Sequence, residues 1–600
     1  MLKNNELEVK KINKRTKFLT GVIILFFLII TVRFFYINLI QSKNLKENAL
    51  DNITKTEYLS PERGNILDRN GEIIATTKHI YSINVIPEKI KNKNNLIKEL
   101  SKILNISNIE INKKISNAVP FKKKEIKDNL NEIEFNKILD ISEMYPSIKI
   151  SSKKVRYYKY NDLFLHSVGY VGKVDDNDLK EYKNIGLLKN DYIGKTGIEK
   201  KLNTTLYGKA GIKEKIINAS GRVINEKIIK NPEKGKNINL TLDLELQKIA
   251  KEELGDYKGA VIAINPQNGE ILAYYSNPSY DANNFIKGIS NKEYKKVFSK
   301  NSPLFDRVRQ GLYPPASTIK PFISISALVG KFINPEKEVF CGPYFRIGNK
   351  KFRDWKRWGH GDVDMVQSIA RSVDVYYYKL GFEMGVDFIH DVLQHFYFGK
   401  EVPIEVFENN QNTGLLPSNS WKKEKYNEPF YKGEEVVISI GQGQFMVSPL
   451  QLAYSNMLLS NNGFPYKLKF FKNEEKDDLI EKIDIPQKYI DIVKEGMKEV
   501  IHGEKGTARK YSKDIDFAMA GKTGTAQVFS TRGEIDYENK EIKKELRDHG
   551  LFNAFAPFEN PEIAVTVIAE NSGSGSEGAA PIAMKIIKEY MKRNKKNELK

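Results

Sequence analysis

The hydrophobic pattern of the chain is dominated by one long apolar stretch near the N-terminus. Residues 18–40 are apolar almost throughout, and Arg33 is the only charged residue among them. At about 1.5 Å of helical rise per residue, this stretch is long enough to cross a bilayer. No small-x-small cleavage site follows it, so the pattern favours an uncleaved membrane anchor over a signal peptide. The basic segment 1–17 predicts a cytoplasmic N-terminus, with everything after residue 40 outside the cytoplasm.

The next part of the pattern, residues 41–236, mixes short apolar runs with charged segments. An Asn-Gly pair between two apolar runs predicts a hairpin at 63–71. Apolar residues at helical spacing predict helices at 95–104 and 132–144. Residues 90–145 contain no cluster suited to catalysis, so we expect the chemistry to lie further along the chain.

From about residue 237 the pattern becomes that of an α+β domain. Two β-rich runs flank a Pro-Gln-Asn-Gly turn at 260–274, which predicts a second hairpin. Three more strands and a final helix are predicted at 517–529, 551–556, 563–570 and 581–592. The sequence between these ends is mostly helical. Strands at both ends with helices between them predict an antiparallel sheet on which the final helix packs.

The composition narrows the possible functions. The net charge of +20 comes from lysines that are spread along the whole sequence and interleaved with Asn, Ile and Glu. No arginine-rich stripe or nucleic-acid motif is present, so compositional bias or attraction to an anionic membrane or wall surface explains the charge better. Cys341 is the only cysteine, which excludes an intrachain disulfide. We predict no nucleic-acid partner and no cofactor.

Two Gly-Lys-Thr triplets, at 194–196 and 521–523, match the last three residues of a phosphate-binding loop motif. Such a loop also requires a glycine five residues before the glycine of the triplet. Those positions hold Lys189 and Asp516. The sequence therefore excludes a nucleotide site of this type.

The strongest chemical signal is a serine and a lysine three residues apart, Ser317 and Lys320. They stand at the start of a predicted helix that continues through an apolar run and ends at Gly330. Residues at i and i+3 share a helix face, so the hydroxyl and the amine can meet. Free N–H groups at a helix N-terminus also suit a developing oxyanion. Together these features are the minimum required for acyl transfer by a serine nucleophile.

The order of three motifs distinguishes Ser317 from other serines with the same spacing, at 151–154 and 420–423. Ser317 is followed, in this order, by Ser372-Val-Asp374 and Lys522-Thr-Gly524. A second Lys-Thr-Gly, at 195–197, precedes the serine and falls in the wrong order. The ordered set Ser-x-x-Lys, Ser-x-Asn/Asp and Lys-Ser/Thr-Gly is typical of penicillin-binding proteins and serine β-lactamases.

Beyond these motifs, the chain resembles the class B penicillin-binding proteins, and among them the cell-elongation subtype. The resemblance covers nearly everything after residue 55. Besides the three motifs it includes the blocks 63–71, 192–200, 260–274, 354–361, 441–443 and 547–549. The block 354–361 and Asp374 are the markers of the subtype.

The resemblance implies an α+β protein with a transmembrane helix, an elongated pedestal and a penicillin-binding or serine β-lactamase-like transpeptidase domain. The last of these has an antiparallel sheet with helices on both sides. The expected division is a cytoplasmic tail at 1–17, an anchor at 18–40, a dimerisation or pedestal domain at 41–236 and a transpeptidase domain at 237–600. Residues 88–155 would form the variable head of the pedestal.

The implied activity is peptidoglycan D,D-transpeptidation, in which a serine acyl-enzyme forms at D-Ala-D-Ala of a stem peptide and β-lactams acylate the same serine. The resemblance also implies a single-pass protein of the cytoplasmic (inner) membrane, in contact with lipid through its anchor. A polytopic SEDS-type glycosyltransferase is the implied partner.

Individual catalytic roles follow from the same resemblance. Ser317 would be the nucleophile, Lys320 its base, and Ser372 the relay that passes a proton to the departing D-alanine. Lys320 must be neutral to act as a base, and burial together with the nearby cation Lys522 would favour the neutral amine. Asp374 opposes this, because a nearby carboxylate favours the charged amine. We interpret Asp374 as a residue that orients Lys320 and the substrate.

The expected substrate contacts lie on the third motif. Lys522 and Thr523 would bind the terminal carboxylate, and an edge strand continued by Gly524 and Thr525 would pair with the peptide backbone. The backbone N–H groups of Ser317 and Thr525 would form the oxyanion hole.

Some members of this subtype hold a metal beside the site. Its ligands come from the Asp and His of the 354–361 block and from a cysteine in the middle of the second motif. Here those positions are Asp354, His360 and Val373, and Cys341 is a further candidate ligand. Three candidates spread along a chain are thin evidence for a metal site, so we predict no metal and structural roles for His360 and His549. A metal held by Asp354, His360 and Cys341 stays open as the alternative.

Two alternative functions share some of these features. A β-lactamase or D,D-carboxypeptidase shares the motifs but needs neither an anchor nor a long pedestal. The Glu-x-x-x-Asn spacing of a water-activating loop does occur, at 405–409 and 408–412, but nothing in the sequence places it beside Ser317. The second alternative is a non-catalytic protein, either a β-lactam sensor or a scaffold. A sensor usually has a cytoplasmic signalling domain, for which 17 residues are too few. A scaffold could have lost the catalytic motifs, which are intact here. The third stem-peptide residue and the acceptor amine stay open.

Overall fold

The computed structural model describes residues 2–43, 45, 53–182, 185–189, 191–218, 222–299, 302–472, 481–528 and 543–598. Its N-terminal part is a helix, Leu2–Phe35, continued by a π-helical segment, Tyr36–Gln41. Within the described residues, Glu8–Gln41 is the one helix that is long and apolar enough to cross a membrane. The predicted anchor at 18–40 thus lies inside a helix that also includes most of the basic segment before it.

Ten short strands follow before residue 240 in the part of the chain that the structure describes. They are β1 (Thr54–Leu59), β2 (Ile66–Leu67), β3 (Ile73–Val85), β4 (Lys124–Lys127), β5 (Ile148–Tyr158), β6 (Val171–Lys173), β7 (Tyr192–Gly194), β8 (Gly211–Ile217), β9 (Val223–Lys230) and β10 (Ile238–Asn239). The long strand β3 pairs antiparallel with β2, β4 and β5. The pairing of β2 with β3 confirms the hairpin predicted at 63–71, although β3 begins only at Ile73. The strands β1, β8 and β9 form a separate sheet.

Three helices at one end of β3 form a small hydrophobic cluster of their own. They are Lys93–Leu104, Asn108–Ser116 and Glu132–Ser142. Leu100 and Ile138 are buried there against Ile83 of β3. Two of these helices were predicted within two residues of their ends. The first starts earlier than predicted because Asn92 caps it, accepting a hydrogen bond from the N–H of Asn95.

A buried ionic cluster holds the base of this first domain together. Glu199 is fully buried, and its two carboxylate oxygens accept hydrogen bonds from Arg63 Nε (2.6 Å) and Arg156 Nε (2.7 Å). Burial disfavours the carboxylate, but the two guanidinium groups outweigh it and keep the pKa of Glu199 below its usual value. These side chains lie on segments far apart in sequence, so the cluster fixes how those segments meet.

The second domain is built on a five-stranded antiparallel sheet with the order β12–β11–β19–β18–β17. Its strands are β11 (Gly259–Ile264), β12 (Ile271–Asn277), β17 (Ala520–Ala526), β18 (His549–Ala556) and β19 (Ile563–Ala569). They confirm the hairpin predicted at 260–274 and the three later strands. The strand predicted at 517–529 is shorter, and residue 529 lies outside the described part. Four further strands, β13 (Val339–Cys341), β14 (Tyr344–Ile347), β15 (Lys350–Arg353) and β16 (Gly361–Val363), form two small sheets.

Helices lie on both sides of the large sheet, as the resemblance implied. One side carries the final helix, Ala580–Glu598, together with Leu244–Leu254. The other side carries Pro449–Ser460, which is buried along its whole length. Further helices complete the domain: Lys320–Val329, Met365–Ala370, Asp374–Met384, Val386–Leu393, Asn419–Tyr426, Lys432–Ile438 and Gln487–His502. The final helix confirms the prediction at 581–592 and is longer.

Candidate active site

Ser317 lies in a tight turn at the start of a buried helix. The 3-10 segment Ala316–Ile319 leads directly into the helix Lys320–Val329, so the first turn is tighter than the predicted α-helix. Ala316 adopts a left-handed φ of 49°, which is unfavourable for a residue with a Cβ. Gly441 supports this conformation, because its O accepts a 2.8 Å hydrogen bond from the N–H of Ala316. A Cβ at Gly441 would lie 2.3 Å from Ala316 O, so only glycine fits.

Lys320 is fully buried, and the second motif surrounds its amine. Its Nζ donates to Asp374 Oδ1 at 2.6 Å, to Ser372 O at 2.9 Å and to Ser372 Oγ at 3.3 Å. Asp374 is the first residue of the helix Asp374–Met384, where a carboxylate also suits the positive end of the helix dipole. The structure thus brings the first two motifs together, with Asp374 in direct contact with Lys320.

The hydroxyl of Ser372 lies between two buried lysines. It is 3.3 Å from Lys320 Nζ and accepts a 2.9 Å hydrogen bond from Lys522 Nζ. Burial, and then the charge of Lys320, hold the pKa of Lys522 well below its ordinary value, while Asp374 acts in the opposite direction. A neutral amine is therefore favoured at Lys522, whereas the Asp374 carboxylate contacts Lys320.

The third motif lies on β17, at the edge of the sheet, where its outer backbone groups have no neighbouring strand among the described residues. Gly524 lets this strand approach the nucleophile turn, because a Cβ there would lie 2.8 Å from Thr318 Cγ2. Thr525 O accepts a 3.0 Å hydrogen bond from Gln442 Nε2, which ties the strand to the segment behind Ala316. Thr523 Oγ1 lies 2.8 Å from the hydroxyl oxygen of Thr507. The three motifs thus meet around Ser372, and β17 packs against the turn that contains Ser317.

Comparisons with known proteins agree with this geometry. The family model described as "Penicillin binding protein transpeptidase domain" matches residues 259–588, and "Penicillin-binding Protein dimerisation domain" matches residues 58–240. The chain belongs to the penicillin-binding proteins.

Individual relatives cover most of the chain. The chain is 36% identical over 556 residues to the peptidoglycan D,D-transpeptidase MrdA of Haemophilus influenzae. The aligned region covers 89% of this chain and 84% of the relative. The solved complex between penicillin-binding protein PBP2 and MreC from Helicobacter pylori is similar with a TM-score of 0.74 and 30% identity, over 88% of this chain and 98% of that one. A structure titled "Structural coordination of polymerization and crosslinking by a peptidoglycan synthase complex" has a TM-score of 0.73 and 25% identity, over 96% of this chain and 97% of that one.

The block 354–361 of this penicillin-binding protein forms a hydrogen-bonded support rather than a metal centre. His360 Nε2 lies 3.0 Å from Asp354 Oδ1, and Asp354 Oδ2 accepts a 3.0 Å hydrogen bond from the N–H of Val375. Burial disfavours the Asp354 carboxylate, but these hydrogen bonds together keep its pKa below the usual value. Burial also raises the pKa of Cys341 to about 12, so its thiol is a poor ligand. Within the described residues no three His, Cys, Asp or Glu side chains are arranged to hold a metal, so these residues do not fit one.

The competing motifs have structural roles in this penicillin-binding protein. Lys195 pairs with Asp175 and Asp178 in the first domain. Ser420 Oγ shares a hydrogen bond with another serine at the start of a surface helix. Glu405 accepts hydrogen bonds from the backbone N–H groups of residues 470 and 471, which argues against a water-activating role.

Sequence reasoning assigned no role to several side chains that support the cleft. Thr507 and Gln442 contact the third motif, and Trp355 contacts the second. Gln442 and Trp355 lie in blocks that carry the family resemblance, which was the only signal available for them. His549 Nδ1 accepts a 3.0 Å hydrogen bond from the N–H of Asn571, in keeping with the structural role expected for it.

Proposed function

We propose that this penicillin-binding protein is a peptidoglycan D,D-transpeptidase that cross-links stem peptides during cell elongation and is acylated by β-lactams. Family membership and the named relatives support the activity. The observation that carries it is the Ser372 hydroxyl between buried Lys320 and Lys522, beside a serine that starts a helix. This arrangement joins a nucleophile, a base and a proton relay in one cleft.

In the acylation step, Ser317 Oγ attacks the carbonyl carbon of the penultimate D-alanine. Its proton passes to Lys320, and the backbone N–H groups of Ser317 and Thr525 stabilise the oxyanion. When the peptide bond breaks, the nitrogen of the departing D-alanine receives a proton through Ser372. The stem peptide is then held as an ester on Ser317. The amine of a second stem peptide attacks this ester, forms the cross-link and releases the serine.

The position of the proton before acylation is the critical feature of this mechanism. Burial, and then the charge of Lys320, favour a neutral Lys522, while Asp374 contacts Lys320 at 2.6 Å. A substrate carboxylate that binds Lys522 favours its charged form, because an opposite charge raises the pKa of an amine. Ser372 Oγ hydrogen-bonds to both amines, so it is the path by which a proton moves between Lys320 and Lys522.

The edge position of β17 supports pairing with an extended peptide. Lys522 and Thr523 bind the terminal carboxylate, and the free edge at Gly524 and Thr525 adds the substrate as a further strand. This alignment presents the scissile carbonyl to Ser317.

We also propose a tail at 1–17, a single-pass anchor at 18–40, a pedestal at 41–236 and an extracytoplasmic transpeptidase domain at 237–600. The basic segment before the apolar stretch supports this orientation. Protease applied to spheroplasts should digest residues beyond 40 and leave the first 17 protected. A soluble form that begins near residue 40 would contradict the anchor. The likeness to a peptidoglycan synthase complex supports a SEDS-type glycosyltransferase as partner.

Labelling with a fluorescent penicillin tests the activity directly. Intact-mass analysis and peptide mapping should find one adduct, on Ser317. Ser317→Ala should abolish labelling and keep the thermal unfolding curve of the parent. Ser420→Ala, which removes a serine with the same spacing to a lysine, is the matched control and should label normally. An adduct on Ser151 or Ser420 would contradict the assignment.

A further inference from the structure

A strongly basic and aromatic surface borders the active site. It consists of β14, β15 and the loop that follows, residues 344–358, and we call it the basic ridge. The ridge contains six basic residues, Arg346, Lys350, Lys351, Arg353, Lys356 and Arg357. Its only acid, Asp354, is buried and hydrogen-bonded to His360. The ridge therefore carries a concentrated positive charge.

Most of this charge is available for binding. The exposed side chains include Arg346, Lys350, Lys351, Lys356 and Arg357. In the part of the chain that the structure describes, none of these five forms an ion pair with an acid. Some contact aromatic rings instead: Lys351 Nζ lies 4.7 Å from the ring centre of Tyr344, and the guanidinium of Arg357 lies 5.4 Å from that of Trp358. These contacts orient the cations without neutralising them.

The ridge begins at the rim of the catalytic cleft. The indole Nε1 of Trp355 donates to Ser372 O at 3.0 Å, and its backbone N–H donates to Asp374 Oδ2 at 3.3 Å. Even so, 60% of Trp355 is exposed, and so is 82% of Trp358. Two large aromatic side chains left in water beside a reactive site are typical of a surface that is covered when a ligand binds.

We propose that the basic ridge binds the carboxylate-bearing part of a stem peptide, upstream of its D-Ala-D-Ala end. This inference rests on the proposed function. The terminal carboxylate is assigned to Lys522 and Thr523 inside the cleft, so the cations outside it serve other carboxylates of the same peptide. The exposed faces of Trp355 and Trp358 cover apolar parts of that peptide, while the cations select anionic stem peptides over amidated ones.

Protection of the full-length protein from fluorescent penicillin tests this inference. The probes are a synthetic pentapeptide that ends in D-Ala-D-Ala and has two free upstream carboxylates, and the same peptide with both of these amidated. Exposed ion pairs are individually weak, so we expect the charged peptide to give half-protection at an about 10-fold lower concentration. This advantage should shrink at about 0.5 M salt, where screening is stronger.

The variant Lys351→Gln/Arg357→Gln should lose most of the advantage of the charged peptide, with penicillin labelling changed by less than about two-fold. Trp358→Ala should weaken both peptides about three-fold, with no effect of salt on that loss. The matched control is Lys98→Gln/Lys102→Gln, which makes the same charge change at exposed positions of a helix in the first domain. It should keep the full advantage.

Three results would overturn the inference. The first is equal protection of the wild type by the two peptides. The second is that the ridge variant loses penicillin labelling and peptide protection to the same extent. Lys351 and Arg357 would then act on the second motif through Trp355 and not by binding the peptide. The third is unchanged peptide protection in that variant with a loss of binding to vesicles of anionic lipid. Failure of the wild type to label with penicillin would instead contradict the proposed function itself.

Discussion

Replacing Asp374 by Asn tests how the protein controls its catalytic base. The Asp374 carboxylate lies 2.6 Å from Lys320 Nζ. At this distance and an effective dielectric constant of about 20, two unit charges interact by about 6 kcal/mol. The carboxylate side chain is 14% exposed, and an amide oxygen would still accept a hydrogen bond, so we expect Asn to lose about half of that interaction energy.

Penicillin acylation by the Asn variant should therefore fall about 100-fold at its maximum. The carboxylate now accepts hydrogen bonds from Lys320 Nζ and from the N–H of Trp355, and an amide would present an N–H₂ group at one of these two positions. One of the two donors must then move. The contact seen in the structure thus supports the orienting role inferred from the sequence.

The assay is the second-order rate of labelling by a fluorescent penicillin between pH 5 and 10, with thermal unfolding measured in parallel. Asp362→Asn is the matched control, because Asp362 is exposed on β16 and makes no contact with Lys320. It should leave the rate unchanged at every pH. A maximum for the Asp374 variant within two-fold of the wild type would refute the orienting role.

Three further substitutions test other parts of the structure. Lys522→Met should abolish penicillin labelling and raise the free energy of unfolding by about 1–4 kcal/mol, because it removes a buried amine. The gain in thermal stability should be largest at acid pH and shrink towards pH 10.5, the ordinary lysine pKa. An unchanged unfolding curve would contradict this prediction. Gly524→Ala should slow labelling at least about 10-fold, because its Cβ would press β17 away from Thr318; Gly342→Ala, whose Cβ meets no atom closer than 3.5 Å, is the control. Glu199→Gln should lower the free energy of unfolding by about 3–5 kcal/mol, because two buried guanidinium groups lose their counter-charge; a loss below 1 kcal/mol in thermal unfolding would contradict that role.

The parts of the fold that the sequence predicted are those with local causes. The hairpin at 260–274 follows from alternating apolar residues around a turn, and the helix capped by Asn131 follows from helical spacing. Both signals involve neighbouring residues, so one chain is enough to detect them. The order of the three motifs likewise picked out Lys320, Ser372 and Lys522, which the structure brings into contact with one another.

What the sequence did not predict depends on contacts between distant segments. The strained φ of Ala316 is stabilised by Gly441, more than a hundred residues later, and nothing local indicates it. The Glu199 cluster is similar, because it joins three segments whose charges look ordinary in a chain with 29% charged residues. Such features need coordinates because loop lengths do not determine which segments meet.

The protonation of the two active-site lysines shows where motif reasoning ends. Lys320 and Lys522 are the same residue type, both are fully buried, and both hydrogen-bond to Ser372. Their sequence contexts gave a reason to expect a neutral Lys320, since a base needs a free electron pair. The coordinates place Asp374 against Lys320 and leave Lys522 without a counter-charge of its own, with its pKa held well below the ordinary value by burial. If the substrate's carboxylate supplies that missing charge, binding converts Lys522 to its charged form. A buried unpaired lysine, which is unfavourable for stability, is then required for the protein to react only with peptides that end in a carboxylate.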